Sequence, residues 1–156
     1  MNVEVIARVR PAKHGENATL KVSGNRIQGS DATEFTFSSV YTDSTPTSDL
    51  YKESFLPLID PLLAGYNVCV IAFGETGSGK SYSLAGEKTA KAGLIPLLIN
   101  SVFIKLREIQ NERTPTRIQA NRIEDNEVSI TIQMYEVYSE TIKDLLLLPH
   151  QGTQLL

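Results

Sequence analysis

The chain has 156 residues, 41% of them hydrophobic and 21% charged, with a formal net charge of −3 at pH 7. This length suits one domain with its own core, and the slightly acidic balance excludes a global basic field, so we expect neither a nucleic-acid nor a membrane partner. No apolar run approaches the roughly 18 residues needed to cross a bilayer. The N-terminus has no signal-peptide pattern, so we expect a cytoplasmic protein.

Short strands are predicted over the first 41 residues. Alternating β-branched residues predict a strand over 3–9, which Pro11 closes because proline cannot donate to a sheet ladder. A small hairpin is predicted with its turn around Ser23-Gly24-Asn25. The alternation in EFTFSSVY then predicts a further strand or extended piece over 34–41.

A helix is predicted next, over residues 49–63, from the approximate helical spacing of its apolar residues. Thr47 or Ser48 is the expected N-cap, and Gly65 is the expected end. Two internal prolines are expected to kink or shorten this helix, because each removes a backbone donor.

The run VCVIAF at 68–73 is apolar without alternation, which is typical of a central strand covered on both faces. Cys69, the one cysteine, lies inside this run and forms no internal disulfide. We expect it to be a small buried hydrophobe in a reduced compartment. A glycine-rich segment follows, and then a helix from Lys80 that a polar loop interrupts at 86–93.

The remainder of the chain alternates helix and strand. Apolar residues at 3.6-residue spacing predict a helix over 94–109, followed by a polar loop over 111–126. A strong strand is predicted over 128–138, and a short strand or helical turn over 140–148. This order of elements predicts an α/β domain with a central sheet flanked by helices.

The glycine-rich segment GETGSGKS at 74–81 matches the phosphate-binding pattern G-x-x-x-x-G-K-[ST]. Gly74 and Gly79 permit backbone angles that a side chain forbids, so that successive N–H groups can form an anion nest. Lys80 is expected to reach the β- and γ-phosphates, and the Ser81 hydroxyl to complete the shell of a Mg²⁺ ion. The position of the segment between an apolar strand and a helix favours this function over a flexible glycine turn.

Several segments, in the same order and with similar spacing, make the chain resemble the kinesin motor domain. GYNVCVIAFGETGSGKSYSLAG at 65–86 is similar to the family's signature, and the other matches are R-V-R-P at 8–11, F-T-F-S-S-V-Y at 35–41, G-L-I-P at 93–96, M-Y-E-V-Y at 134–138 and I-K-D-L-L at 142–146. The resemblance implies a P-loop NTPase-type central sheet flanked by helices, with ATP and Mg²⁺ as ligands. It also implies a microtubule (tubulin) partner and a place in the cytoplasmic cytoskeleton.

The resemblance further implies roles for individual residues. Arg8, Arg10 and Pro11 would border the adenine, and Tyr82 would stack on it. From the residues alone, Tyr82 is equally well explained as a surface or core tyrosine, and the arginines as the solvated face of a strand. Glu75 replaces the glutamine that most kinesins carry, and we expect its carboxylate to point away from the phosphates. The ATP site implied in this way comprises Gly74, Glu75, Thr76, Gly77, Ser78, Gly79, Lys80, Ser81, Tyr82, Arg8, Arg10 and Pro11.

The family's two switch segments, S-S-R-S-H and D-x-x-G-x-E, do not occur in the sequence. Phosphoryl transfer needs groups that position water and sense the γ-phosphate, so no catalytic residue is assigned. The resemblance ends near Leu147, about halfway through a motor domain. We therefore expect a truncated motor domain over 1–147, without most of the tubulin-binding surface, and a non-matching tail over 148–156.

Three functions are compatible with these features to different degrees. The first is the ATP-binding portion of a kinesin-like microtubule motor, whose complete form would couple ATP hydrolysis to movement. The second is a motor-derived nucleotide-binding or scaffold module without hydrolysis, which microtubule-stimulated turnover would exclude. The third, a small P-loop kinase, should show an arginine cluster at an acceptor site, and the arginines at 107, 113, 117 and 122 are too scattered for one.

Overall fold

The computed structural model describes residues 3–12, 19–87, 91–112 and 130–146. The chain divides into two compact units, residues 1–115 and residues 116–156, and each is described by itself. Strands and helices mix in the described residues, which confirms the α/β class. The strands of these residues form four small sheets of two or three strands, in place of the single central sheet that was expected.

The strand predicted over 3–9 is present as β1 (Ile6–Arg8), which pairs in parallel with β5 (Ser39–Tyr41). Arg8 lies opposite Tyr41, and the pairing continues where the Val9 amide donates to the Tyr41 carbonyl at 2.8 Å. Because the strands are parallel, the segments that follow them leave the sheet at the same edge. This edge is where a ligand site is expected in an α/β protein.

The predicted hairpin is confirmed by β2 (Lys21–Ser23) and β3 (Arg26–Gln28), and β4 (Glu34–Thr36) completes a three-stranded antiparallel sheet. The stretch 34–41, predicted as one further strand or extended piece, is divided between β4 and β5, which belong to different sheets. The chain passes from one sheet to the other between Phe37 and Ser38, whose amides bond to different segments. Phe37 N–H donates to the Asn25 carbonyl at 2.9 Å, and Ser38 N–H donates to the Val5 carbonyl at 2.8 Å.

The helix predicted over 49–63 is divided into α1 (Thr47–Ser54), a 3₁₀ turn (Leu56–Leu58) and α2 (Ile59–Leu63). This division confirms the expectation that the internal prolines kink or shorten the helix. Pro57 lies in the 3₁₀ turn and has no amide to donate to a continuous helix. The predicted caps, Thr47 and Ser48, are wrong, since Pro46 is the N-cap and no side chain caps the helix. Gly65 follows α2 with φ 92°, which confirms the predicted end.

The helix predicted from Lys80 is present as α3 (Lys80–Ala85), and the helix predicted over 94–109 as α4 (Leu94–Glu112). Between them, β6 (Gly86–Glu87) and β7 (Lys91–Ala92) pair as a short antiparallel ribbon where a polar loop was predicted. The loop predicted over 111–126 lies outside the described residues from residue 113 onward. Within the described ranges, no helix combines the length and apolar character that a membrane crossing requires.

The second unit contributes one antiparallel hairpin, formed by β8 (Tyr135–Tyr138) and β9 (Thr141–Asp144). β8 confirms the last four residues of the strand predicted over 128–138, whereas residues 130–134 are not in a strand. Of the two alternatives predicted for 140–148, a short strand or a helical turn, the structure shows a strand, β9. The tail predicted over 148–156 lies outside the described residues.

The apolar run at 68–73 does not form the central strand that was predicted. No described strand pairs with it. Ile71 is 81% exposed and Phe73 is 97% exposed. The prediction that Cys69 is buried is likewise wrong, because this thiol is exposed.

The core of the first unit lies where α1 packs against β5 and the start of α4. Its buried residues are Tyr41, Leu50, Tyr51, Phe55 and Leu94. Two tyrosine hydroxyls tie α1 to its neighbours. The Tyr41 hydroxyl shares a 2.7 Å hydrogen bond with the Ser54 hydroxyl of α1. The Tyr51 hydroxyl of α1 donates a 2.6 Å hydrogen bond to the Ser101 hydroxyl of α4. These bonds hold α1, and therefore its first residue, Thr47, in a defined position beside β1.

Candidate functional site

The last two residues of the glycine loop (residues 74–81) are the first two of α3, and two of its glycines hold backbone angles that other residues rarely adopt. Gly79, the residue before α3, has φ 98°, and Gly74 has φ 152°. A Cβ on Gly74 would lie 2.7 Å from the Ser78 Oγ. Backbone angle and crowding both require glycine at this position, as the phosphate-binding pattern does.

Lys80 closes the glycine loop through its side chain. Its ammonium donates to the carbonyl oxygens of Gly74 and Glu75, each at 2.8 Å. The Ser78 amide also donates to the Glu75 carbonyl, at 3.1 Å. The ammonium therefore lies against the opening residues of the loop, held by neutral acceptors. A phosphate oxygen is a stronger acceptor for an ammonium than a neutral carbonyl.

Two other residues of the glycine loop are exposed. Glu75 is solvent-exposed, and no basic side chain of the described residues forms an ion pair with it. The direction of its carboxylate relative to a bound phosphate stays a prediction. Ser81, the expected Mg²⁺ ligand, is also exposed. The described residues contain no cluster of three histidine, cysteine or acidic side chains that could hold a metal.

A cavity of about 730 Å³ adjoins the loop and brings together residues from distant parts of the chain. Arg8, Arg10 and Pro11, which follow or end β1, line it together with Tyr82 of α3. The glycine loop contributes Ser78 and Gly79. The residues expected around the base therefore share one cavity with the end of the loop. Gly74, Glu75, Thr76, Gly77, Lys80 and Ser81 are not part of its wall.

Arg8 contacts three other residues of this wall. Its Nη1 donates to the Ser83 Oγ at 3.0 Å, and its Nη2 donates to the Thr47 Oγ1 at 2.9 Å. Its Cζ lies 5.3 Å from the centroid of the Tyr82 ring, within the range of a cation–π contact. Arg10 donates to the Pro11 carbonyl at 3.0 Å.

The sequence interpretation missed part of this wall. The cavity is also lined by Thr42, Asp43, Ser44, Thr45, Pro46, Thr47, Ser48, Ser83, Glu87, Lys91, Ala92 and Leu97. One signal could have identified residues 42–48. They follow a strand, and five of the seven carry hydroxyl groups, so parallel pairing of that strand with β1 would place them beside Arg8. Nothing comparable marks Glu87 or Lys91.

A second cavity, of about 180 Å³, borders the same loop. It is lined by Ser78, Gly79 and Lys80, together with side chains of the core and of the run at 68–73. Lys80 therefore borders this cavity while it bonds to the loop carbonyls. The loop thus borders two cavities, one beside Tyr82 and one beside Phe55.

Comparison with family models matches residues 3–155 to the kinesin motor domain. The chain is 30% identical to the kinesin-like protein klp-19 of Caenorhabditis elegans, 33% identical to KIN-14M of Arabidopsis thaliana and 32% identical to KIN-5C of Nicotiana tabacum. These similarities cover 93%, 93% and 94% of the chain, but 13%, 20% and 16% of the respective relatives. The chain therefore spans a fifth or less of the length of these relatives.

Proposed function

Because the chain belongs to the kinesin motor-domain family, we propose that it is the ATP-binding portion of a kinesin-like microtubule motor. The observation that carries this proposal is the shared wall of the larger cavity. Ser78 and Gly79 of the glycine loop line it beside Arg8 and Tyr82. The proposed phosphate-binding loop and a pocket large enough for a base and its ribose are therefore contiguous, as a nucleotide requires.

The glycine loop is proposed to hold the phosphates of ATP with Mg²⁺. The close approach of Gly74 to Ser78 and the left-handed angle at Gly79 fit a loop that turns its backbone amides toward one ligand. On binding, Lys80 would exchange its two neutral carbonyl acceptors for phosphate oxygens. Ser81 would supply a hydroxyl to the Mg²⁺ ion.

The larger cavity is proposed to receive the adenine and ribose. Tyr82 offers an aromatic ring and Pro11 an apolar ring for stacking on the base. Arg8 and Arg10 supply positive charge on the same wall, and the hydroxyl groups of residues 42–48 supply donors and acceptors. This combination of a few polar groups with apolar surface is typical of ligand pockets.

The family also supports a microtubule as the partner of the whole motor and the microtubule cytoskeleton as its location. We place no tubulin-binding residue within the described part of the chain. The proposal for this chain is therefore nucleotide binding, with movement along microtubules as the activity of the complete motor.

A second candidate function is nucleotide binding without hydrolysis, and one observation favours it. The sequence contains neither S-S-R-S-H nor D-x-x-G-x-E, the two segments that would sense the γ-phosphate in the family. We expect the polypeptide of residues 1–156 to bind ATP and to show no microtubule-stimulated turnover. Measurable stimulation of phosphate release by microtubules would overturn this expectation.

Lys80→Ala tests the ATP site, with affinity measured by isothermal titration calorimetry in the presence of Mg²⁺. We expect about tenfold or greater weakening, because hydrogen bonds to charged groups contribute roughly 1.5–3 kcal/mol. Lys52→Ala is the matched control, since Lys52 is an exposed lysine on α1 that lines neither cavity. Equal affinities for wild type and Lys80→Ala would refute the proposed site.

A further inference from the structure

The Arg8 side chain joins three elements that are far apart in the chain. It begins on β1, reaches Thr47 at the start of α1, 39 residues away, and reaches Ser83 on α3, 75 residues away. Neither Thr47 nor Ser83 is among the residues that the family resemblance places at the ATP site. Both nevertheless line the larger cavity.

The two hydrogen bonds leave the guanidinium little freedom. Thr47 is a buried polar residue, 7% exposed, and its hydroxyl oxygen accepts from the Arg8 Nη2. Ser83 accepts from the other terminal nitrogen, Nη1. Because the guanidinium is planar and its donors point in fixed directions, two acceptors at its two terminal nitrogens set the orientation of the whole group.

The orientation of the guanidinium bears directly on Tyr82. The Arg8 Cζ lies 5.3 Å from the centre of the Tyr82 ring, and the next residue, Ser83, is the acceptor for Arg8 Nη1. Arg8 therefore contacts the ring of one residue and the hydroxyl of its neighbour. A cation over a ring face favours one position of that ring over others.

We propose that Thr47 and Ser83 are positioning residues for the base side of the site, acting through Arg8 to hold the Tyr82 ring in the cavity wall. In this arrangement Arg8 is a bridge between two hydroxyl groups and an aromatic ring. The inference rests on the proposed function for its consequence, the binding of adenine. The position of the ring itself is independent of any nucleotide.

A purely structural role is the competing explanation, in which the same bonds only tie β1 to α1 and α3. The two explanations differ in what a hydroxyl deletion does to the Tyr82 ring. They also differ in which part of ATP loses binding energy. A positioning role affects the base and spares the phosphates, whereas general loosening of the unit affects both.

The first test places 3-fluorotyrosine in the full chain and follows the fluorine resonance of Tyr82, assigned with Tyr82→Phe, without nucleotide. We expect Thr47→Val and Ser83→Ala each to shift or broaden this resonance, and Thr47→Ser to restore it. Ser101→Ala is the matched control. It removes the acceptor of a different hydrogen bond of α1, the one that the Tyr51 hydroxyl donates to Ser101, and it does not affect the bonds of Arg8. An unmoved Tyr82 resonance in both Thr47→Val and Ser83→Ala would overturn the proposal.

The second test compares ATP with inorganic tripolyphosphate, both with Mg²⁺, by calorimetry. We expect Thr47→Val to weaken ATP binding about three- to tenfold and to leave tripolyphosphate binding unchanged, with Thr47→Ser restoring ATP binding. Equal losses for both ligands would show a structural role and contradict the inference. If the wild type binds ATP no better than tripolyphosphate, the proposed base site fails. The fluorine resonance still decides whether Thr47 and Ser83 position Tyr82.

Discussion

The ammonium nitrogen of Lys80 lies 2.8 Å from the carbonyl oxygen of Gly74, six residues earlier in the chain. It lies at the same distance from the Glu75 carbonyl. The lysine thus fastens the beginning of the glycine loop to its end. Loop shape and lysine position depend on each other, and a change at Gly74 is expected to affect both.

Gly74→Ala is predicted to destabilise the chain and weaken ATP binding. The new Cβ would lie 2.7 Å from the Ser78 Oγ, at a backbone angle of φ 152°. Strain of this kind costs roughly 1–3 kcal/mol. The free energy of unfolding, from urea denaturation, and ATP affinity, from calorimetry, are the measurements.

Gly77→Ala is the matched control for this prediction. Gly77 also has a positive φ, 80°, but a Cβ there would meet nothing within 4 Å. Gly74→Ala should therefore be the more destabilising of the two, and adding Ser78→Ala should remove part of the excess. Equal losses at the two glycines would show that crowding against Ser78 is unimportant.

Tyr82→Leu is predicted to reduce ATP affinity about fivefold while tripolyphosphate affinity stays the same, since an aromatic contact contributes roughly 1 kcal/mol. Tyr82→Phe retains the ring over Arg8 and should bind ATP as the wild type does. Calorimetric titration of both ligands measures the difference. A large loss in Tyr82→Phe would assign the binding to the hydroxyl group instead of the ring.

Phe73→Ser is predicted to reduce self-association of the chain. Phe73 is 97% exposed and Ile71 is 81% exposed, in a run that pairs with no described strand. Exposed apolar surface and unpaired backbone both favour association. Sedimentation velocity at several concentrations should show less association for Phe73→Ser, with little change in thermal stability.

Phe55→Ala provides the contrast for Phe73→Ser. Phe55 is 9% exposed and belongs to the core, so its truncation should cost about 3–5 kcal/mol of unfolding free energy. If Phe73→Ser destabilised the chain to a similar degree, the side chain of Phe73 would have to be buried in solution.

Asp31 is predicted to titrate below the ordinary range of an aspartate. Its carboxylate accepts from the Thr33 hydroxyl at 2.7 Å and from the Thr33 amide at 3.1 Å, and these bonds lower the pKa of Asp31. A folded pKa below the unfolded one stabilises the fold above the unfolded pKa. That stabilisation is lost as pH falls through the folded pKa.

Thr33→Val tests the cause of this shift, because it deletes the hydroxyl donor and keeps the amide. A carbon-13 NMR titration of the Asp31 carboxyl should show a higher pKa in Thr33→Val than in the wild type. Thr36→Val, on β4, is the control and should leave the pKa of Asp31 unchanged. An Asp31 pKa that does not respond to Thr33→Val would contradict the assignment of the shift to the hydroxyl.

Elements whose interactions are local could be predicted from the sequence. The β2–β3 hairpin, α3 and α4 are set by turn residues, by the glycine loop and by helical spacing within each segment. The prediction of a central strand over 68–73 was wrong because a strand depends on interactions that are not local. Absence of alternation shows only that a strand could be covered on both faces, whereas its pairing depends on neighbours elsewhere in the chain.

The residues of the candidate site likewise divide into those that a local motif locates and those that only the fold brings together. The motif locates the glycine loop, because its chemistry lies in eight consecutive residues. Arg8 and Tyr82 came from the family resemblance, and the cavity does bring them together. Thr47 and Ser83 were missed because a threonine before a helix and a serine within one have common local explanations. Their relation to Arg8 arises only from tertiary packing, because Thr47 and Ser83 lie 39 and 75 residues from Arg8 in the chain.

The reach of Arg8 also bears on the order in which the site assembles during folding. The bond from Lys80 to Gly74 closes a segment of six residues, whereas the bond from Arg8 to Ser83 closes one of 75. Loop-closure entropy makes the longer closure more costly by about 2 kcal/mol. The phosphate end can therefore take shape while the chain is still largely unfolded. The base end must wait until β1, α1 and α3 have met, so it should be the first part of the site to open under denaturant.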